Sequence, residues 1–197
     1  MAQARTERTL QEPALLRGMI NDPRAGWLWL LPRLWLGWQW LQAGIHKFSD
    51  PGWMQGGEAL RGFWQFAVAI PETGRPAIAY DWYRNFLQAM LNAQVYTWFA
   101  KLVVFGELLV GAALILGLFT GFAALFGGFM NWNFMMAGSA GVNPVFFVIA
   151  IALALAWKVS GYIGLDYFVL RPFGRRTSQA GDEKPGRLAS SPQAASD

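Results

Sequence analysis

Residues 98–137 read WFAKLVVFGELLVGAALILGLFTGFAALFGGFMNWNFMMA, with Lys101 and Glu107 as the only charges. The stretch divides into two apolar runs, 98–118 and 120–137. Each is close to the ~20 residues that a helix needs to cross a bilayer. Almost nothing joins them, only Phe119 and Thr120, so the pair predicts a tight antiparallel helical hairpin. Two more runs lie outside it, at Gly26–Phe48 and at 144–169. The last opens on Asn143-Pro144, an N-cap residue followed by a proline suited to the first helical turn.

Composition supports the same reading. Hydrophobic residues make up 54% of the chain and charged residues 14%, against about 25% charged in a typical soluble domain. The chain has no cysteine and a single histidine, His46. It therefore supplies no disulfide, no thiolate iron–sulfur centre, no thiol relay and no bis-histidine haem. The net charge of +4 is not a nucleic-acid signal. Its Lys and Arg residues gather in tails flanking the apolar runs, which is the positive-inside pattern.

Between the first and second runs, residues 49–97 are too polar to span and too apolar for a plain loop. Trp53, Leu60, Phe63, Trp64 and Phe66 precede a Pro/Gly break at 71–76. Tyr83, Phe86, Leu87 and Met90 then recur at helical spacing. Both pieces read as interfacial helices, 53–70 and 80–96, on the outer face. The N-terminal tail, 1–24, carries Arg5, Arg8, Arg17 and Arg24 and shows no signal-peptide pattern. The tail at 171–197 is basic, rich in Ser, Ala, Pro and Gly, and expected to be disordered. Basic tails and an even number of spans place both termini in the cytoplasm. The expected fold is an all-α integral membrane protein of the plasma (inner) membrane. A four-transmembrane-helix bundle fills 25–170, with interfacial helices between the first and second spans.

Ionisable groups inside a span are functional candidates because desolvating them is costly. Glu107 lies near the middle of the second run. Arg33 and Lys158 lie nearer the cytoplasmic ends of the first and fourth, and Asn131 and Asn133 near the middle of the third. Glu107 is expected to face the bundle interior, with Arg33, Lys158 or an asparagine in reach. Structural pairing and snorkelling of the cations are the alternatives to a functional role. In the first run, Arg33, Gly37, Trp40, Gly44 and Lys47 share one helical face. Gln39, Gln42 and His46 share another, running to the outer boundary. That second face predicts a quinone pocket in the outer half of the bundle, with Glu107 and Asn131 deeper, and with Glu107 and His46 as proton-handling residues. Interhelical hydrogen bonding is the plain alternative for Gln39, Gln42 and His46.

Residues 33–51, RLWLGWQWLQAGIHKFSDP, resemble the first helix of the DoxX family. Similar correspondences hold at GELLVGAALILGLFTGFAAL (106–125), in the asparagine-bearing third run that ends GSAGVNP, and at KVSGYIGLDYF (158–168). The resemblance covers about 33–170. It implies a four-helix membrane bundle and a link to redox chemistry through the related DoxD, the membrane subunit of a thiosulfate:quinone oxidoreductase. On that reading quinone is the acceptor, a partner redox protein or a small reductant such as thiosulfate is the donor, and Lys47, Lys101, Arg61 and Arg84 are candidate contacts for a dianion. A non-enzymatic membrane scaffold for soluble redox proteins and a small transporter are the competing functions.

Overall fold

The computed structural model describes residues 13–169; residues 1–12 and 170–197, which include the expected basic tail at 171–197, lie outside them. Every described element is helical: α1 (Ala14–Asn21), a short 3-10 turn (Pro23–Ala25), α2 (Gly26–Phe48), α3 (Pro51–Met54), α4 (Glu58–Val68), α5 (Asp81–Asn92), α6 (Tyr96–Leu116), α7 (Thr120–Met136), α8 (Asn143–Leu155) and α9 (Trp157–Ser160). The first three apolar runs correspond to α2, α6 and α7. By length and composition, α6 is the one described helix long and apolar enough to cross a membrane by itself. The 23 residues of α2 reach far enough, but Arg33, Gln39, Gln42, His46 and Lys47 dilute their apolar character. At 17 residues α7 is shorter, and α8 has only 13.

Two sequence expectations change. The run at 144–169 is not one helix: α8 ends at Leu155, and the chain then bends through α9 into turns. Asn143 is not the N-cap either. It is the first residue of α8, and its side-chain amide donates back to the Ser139 carbonyl at 2.9 Å. In addition, part of the expected N-terminal tail is ordered as α1, which packs on α9.

The long helices pair as α2 with α6 and α7 with α8, and the α6–α7 hairpin links the pairs. Their shared core contains Leu36, Trp40, Val110, Leu114, Ala124 and Leu153. Glycines make the α2–α6 approach close, as in small-residue packing between membrane helices. A Cβ on Gly111 would lie 2.6 Å from the Leu41 amide nitrogen, and one on Gly44 would lie 2.8 Å from the Leu108 side chain.

At one end, α3, α4 and α5 form a cap with its own core of Leu60, Trp64, Ile78, Tyr83, Leu87 and Tyr96. The helices expected at 53–70 and 80–96 are present but shorter: the first is broken between α3 and α4 and ends at Val68, and the second ends at Asn92, ahead of the turn into α6. Asp50 starts α3 by accepting the Gly52 amide at 2.8 Å, with Pro51 in the first turn. Gly57 precedes α4 at φ 75°, where a Cβ would collide with the Tyr96 carbonyl. Only glycine fits both constraints. Tyr83 fastens the cap to the bundle by donating to the Asn133 carbonyl at 3.1 Å.

Candidate functional site

The polar face of α2 and the buried carboxylate of α6 meet near the cap. Lys47 Nζ lies 2.7 Å from Glu107 Oε1 and 2.8 Å from Oε2. Glu107 is 1% exposed and the Lys47 side chain 23%. The ammonium also sits over the Trp53 ring of α3, 5.2 Å from its centroid. Glu107 thus faces inward as expected, but its partner is neither Arg33 nor Lys158. A helical side chain leans toward its own N-terminus, so Lys47 reaches back along α2 into the bundle. Counting depth from the Cα position alone places it too far out.

Arg33 and Lys158 serve the opposite end. Arg33, 2% exposed, donates to the carbonyls of Ser160 at 2.9 Å and Ile163 at 2.7 Å. Lys158 is exposed and bonds Asn21 at 3.3 Å. Beside Arg33, the buried carboxylate of Asp166 accepts the Phe119 amide at 2.6 Å and the Thr120 amide at 2.9 Å. Asp166 therefore caps α7 from 46 positions away and braces Phe119 at φ 47°, a backbone region unfavourable for a bulky residue. Sequence reasoning missed Asp166. The available signal was two glycines, Gly161 and Gly164, just ahead of it, and a Cβ at Gly161 would overlap the carboxylate.

The three donors assigned to one face of α2 separate from Glu107. Gln42 and His46 are exposed and Gln39 is half-buried. With Trp38, Ile45, Ser49 and Asp50, Gln42 and His46 line an open groove of about 800 Å³ on the flank of α2. Asn131 stays in the core, fully buried, with neither amide atom partnered among the described residues. The α6–α7 register sets Gly106 against Met130 and Gly127 against Val110, which brings Asn131 level with Glu107. The expected single pocket therefore comes apart: the Lys47–Glu107 pair and the unpartnered Asn131 are buried in the core, and Gln42 and His46 line the flank groove. Lys101 is exposed and joins neither. Of the other cap cations, Arg61 pairs with Glu58 at 3.1 Å and Arg84 with Asp81 at 2.6 Å. Among the described residues no cluster of three or more His, Asp or Glu side chains offers a metal site.

The described residues form an all-helical bundle with apolar flanks, a glycine-tight seam and a buried ion pair, the packing expected of a helical membrane protein. The DoxX family model matches residues 28–157, and the chain belongs to the DoxX family. No curated protein and no solved structure matches it.

Proposed function

We propose that this protein is the membrane subunit of a quinone-linked redox system. In this reading the bundle crosses the plasma membrane four times, with α2, α6, α7 and α8–α9 as the spans. Both termini are cytoplasmic and the α3–α5 cap is outside. The observation that carries the proposal is the α2 groove. Its Trp38 and Ile45 walls open sideways, where a lipid-soluble ring arrives from the bilayer, while Gln42 and His46 offer hydrogen bonds to ring oxygens. These residues fit a quinone head: one apolar wall, two polar contacts and an aqueous rim at Ser49 and Asp50. Bound there, a quinone supplies an acceptor of two electrons and two protons, its two carbonyls becoming hydroxyls. The Gln42 carboxamide orients one ring oxygen. The His46 imidazole holds the other and exchanges a proton with water at the rim.

The electrons come from outside the chain, which has no cysteine and no second histidine. Three of the four cations considered for a small dianion are occupied: Lys47 by Glu107, Arg61 by Glu58 and Arg84 by Asp81. That pairing favours a redox partner protein docked on the cap over free thiosulfate as the donor. Photolabelling with an azidoquinone in nanodiscs tests the groove. Labelling is expected on residues 38–50. His46→Ala and Gln42→Leu should each weaken quinone-analogue binding about tenfold, the equivalent of one hydrogen bond at about 1.4 kcal/mol. Label placed elsewhere, or affinity unchanged in both variants, defeats the assignment.

A further inference from the structure

A second pocket, of about 270 Å³, opens between α4, α5 and the turn into α6; it shares no residue with the α2 groove. Its polar lining is Arg61 and Gln65 from α4, Gln88 and Asn92 from α5, and Gln94 from the turn, with Tyr96 alongside. We infer that this pocket binds a neutral polyhydroxylated ligand, a single sugar ring, on the face of the cap.

The lining favours a neutral ligand over a charged one. Arg61 pairs with Glu58 at 3.1 Å and lies 5.7 Å from the Tyr96 ring centroid, so the one cation is already matched by a carboxylate and an aromatic face. The other polar side chains, four carboxamides, are neutral, so an anion finds no unmatched positive charge there. A cation would meet the guanidinium. Carboxamides both donate and accept, as do sugar hydroxyls. Gln88 and Asn92 are pre-arranged, the Gln88 amide donating to Asn92 Oδ1 at 3.0 Å. The Gln65 and Gln94 carboxamides have no hydrogen bond among the described residues.

Gln94 strengthens the assignment. It ends α5 at φ 55°, inside a doubled turn in which its own amide reaches Leu91 O and the Val95 amide reaches Met90 O, each at 3.0 Å. This is the left-handed helix-terminating position at which glycine is the unstrained residue. A strained side chain held at a pocket rim trades stability for a contact.

The test is titration of the full-length protein in nanodiscs with free hexoses, followed by saturation-transfer NMR. Sulfate and tetramethylammonium serve as charged controls. A parallel arm uses nanodiscs doped with a hexose-headed glycolipid, to separate a free sugar from a membrane-borne one. Saturable hexose binding in either arm, with neither ion competing, is expected. Gln94→Gly should raise the melting temperature while weakening that binding about tenfold. Gln65→Leu, at an exposed site, should weaken it without changing the fold. Absence of saturable binding in both arms, sulfate binding more tightly than hexose, or unchanged affinity in both variants would overturn the inference. Quinone-analogue affinity should stay the same in these variants, so failure here is distinguishable from failure of the α2 groove.

Discussion

Lys47 and Glu107 stabilise each other by geometry rather than by net charge. A nearly bidentate contact with Trp53 over the ammonium offsets the desolvation of a fully buried carboxylate. Removing one partner leaves the other charge unmatched, so Lys47→Met should destabilise the protein by about 3 kcal/mol. Glu107→Gln should cost less, because the amide oxygen still accepts from the ammonium. The double variant Lys47→Met/Glu107→Leu should recover most of the loss, since two apolar side chains fill the site without orphaned charge. Thermal unfolding in one detergent of the native protein, Lys47→Met, Glu107→Leu and the double variant closes the cycle, with Glu107→Gln alongside. A double variant no more stable than Lys47→Met would show that the pair is not the source of the coupling. The inward placement of Glu107 was legible from its position in an apolar run. Its partner was not, because the lean of a lysine along its helix and the α2–α6 register both lie outside periodicity.

At the scale of elements, the cap is held to the bundle by a few contacts, of which the α5–α7 link through Tyr83 is a titratable one. Burial pushes the Tyr83 phenol from 10.0 up to about 12. The folded state thus keeps a proton that the unfolded chain releases, and the stability due to Tyr83 is complete below pH 10 and lost as pH rises toward 12. The expected outcome is a steeper fall in melting temperature across pH 10–12 for the native protein than for Tyr83→Phe. Parallel curves would remove Tyr83 from the alkaline transition. The cap helices were readable from Trp and Tyr at helical spacing, and α2, α6 and α7 from their apolar runs. The break between α8 and α9 was not. The apolar composition continues through Leu155, Ala156 and Trp157, and the bend follows from tertiary demands, with Arg33 claiming the carbonyls of Ser160 and Ile163.

For the whole molecule, the proposed orientation rests on basic tails and a capped opposite end. Reporter fusions inserted at residue 73 and placed after residue 197 should report opposite sides of the membrane, the latter cytoplasmic. The same side for both would require an even number of crossings between them. The bundle as a class was legible because one helix carries only two charges in 21 residues and the others are apolar on their exposed flanks. The site was less so. Of Gln39, Gln42 and His46, expected on one face of α2, the last two share the flank groove and Gln39 does not; helical periodicity does not tell which of two polar faces turns inward. Here the face with Gly37, Gly44 and Lys47 won, because only glycines allow α6 so close.

The clasp around Arg33 also sets an order in time. Its acceptors, Ser160 and Ile163, are 127 and 130 residues further along the chain. During synthesis, α2 leaves the ribosome long before either carbonyl exists. Until the last apolar segment arrives, the guanidinium must remain at a wet boundary or in the care of the insertion machinery. The first long helix is therefore the last to be seated, and a chain truncated before residue 160 would carry an arginine with no berth.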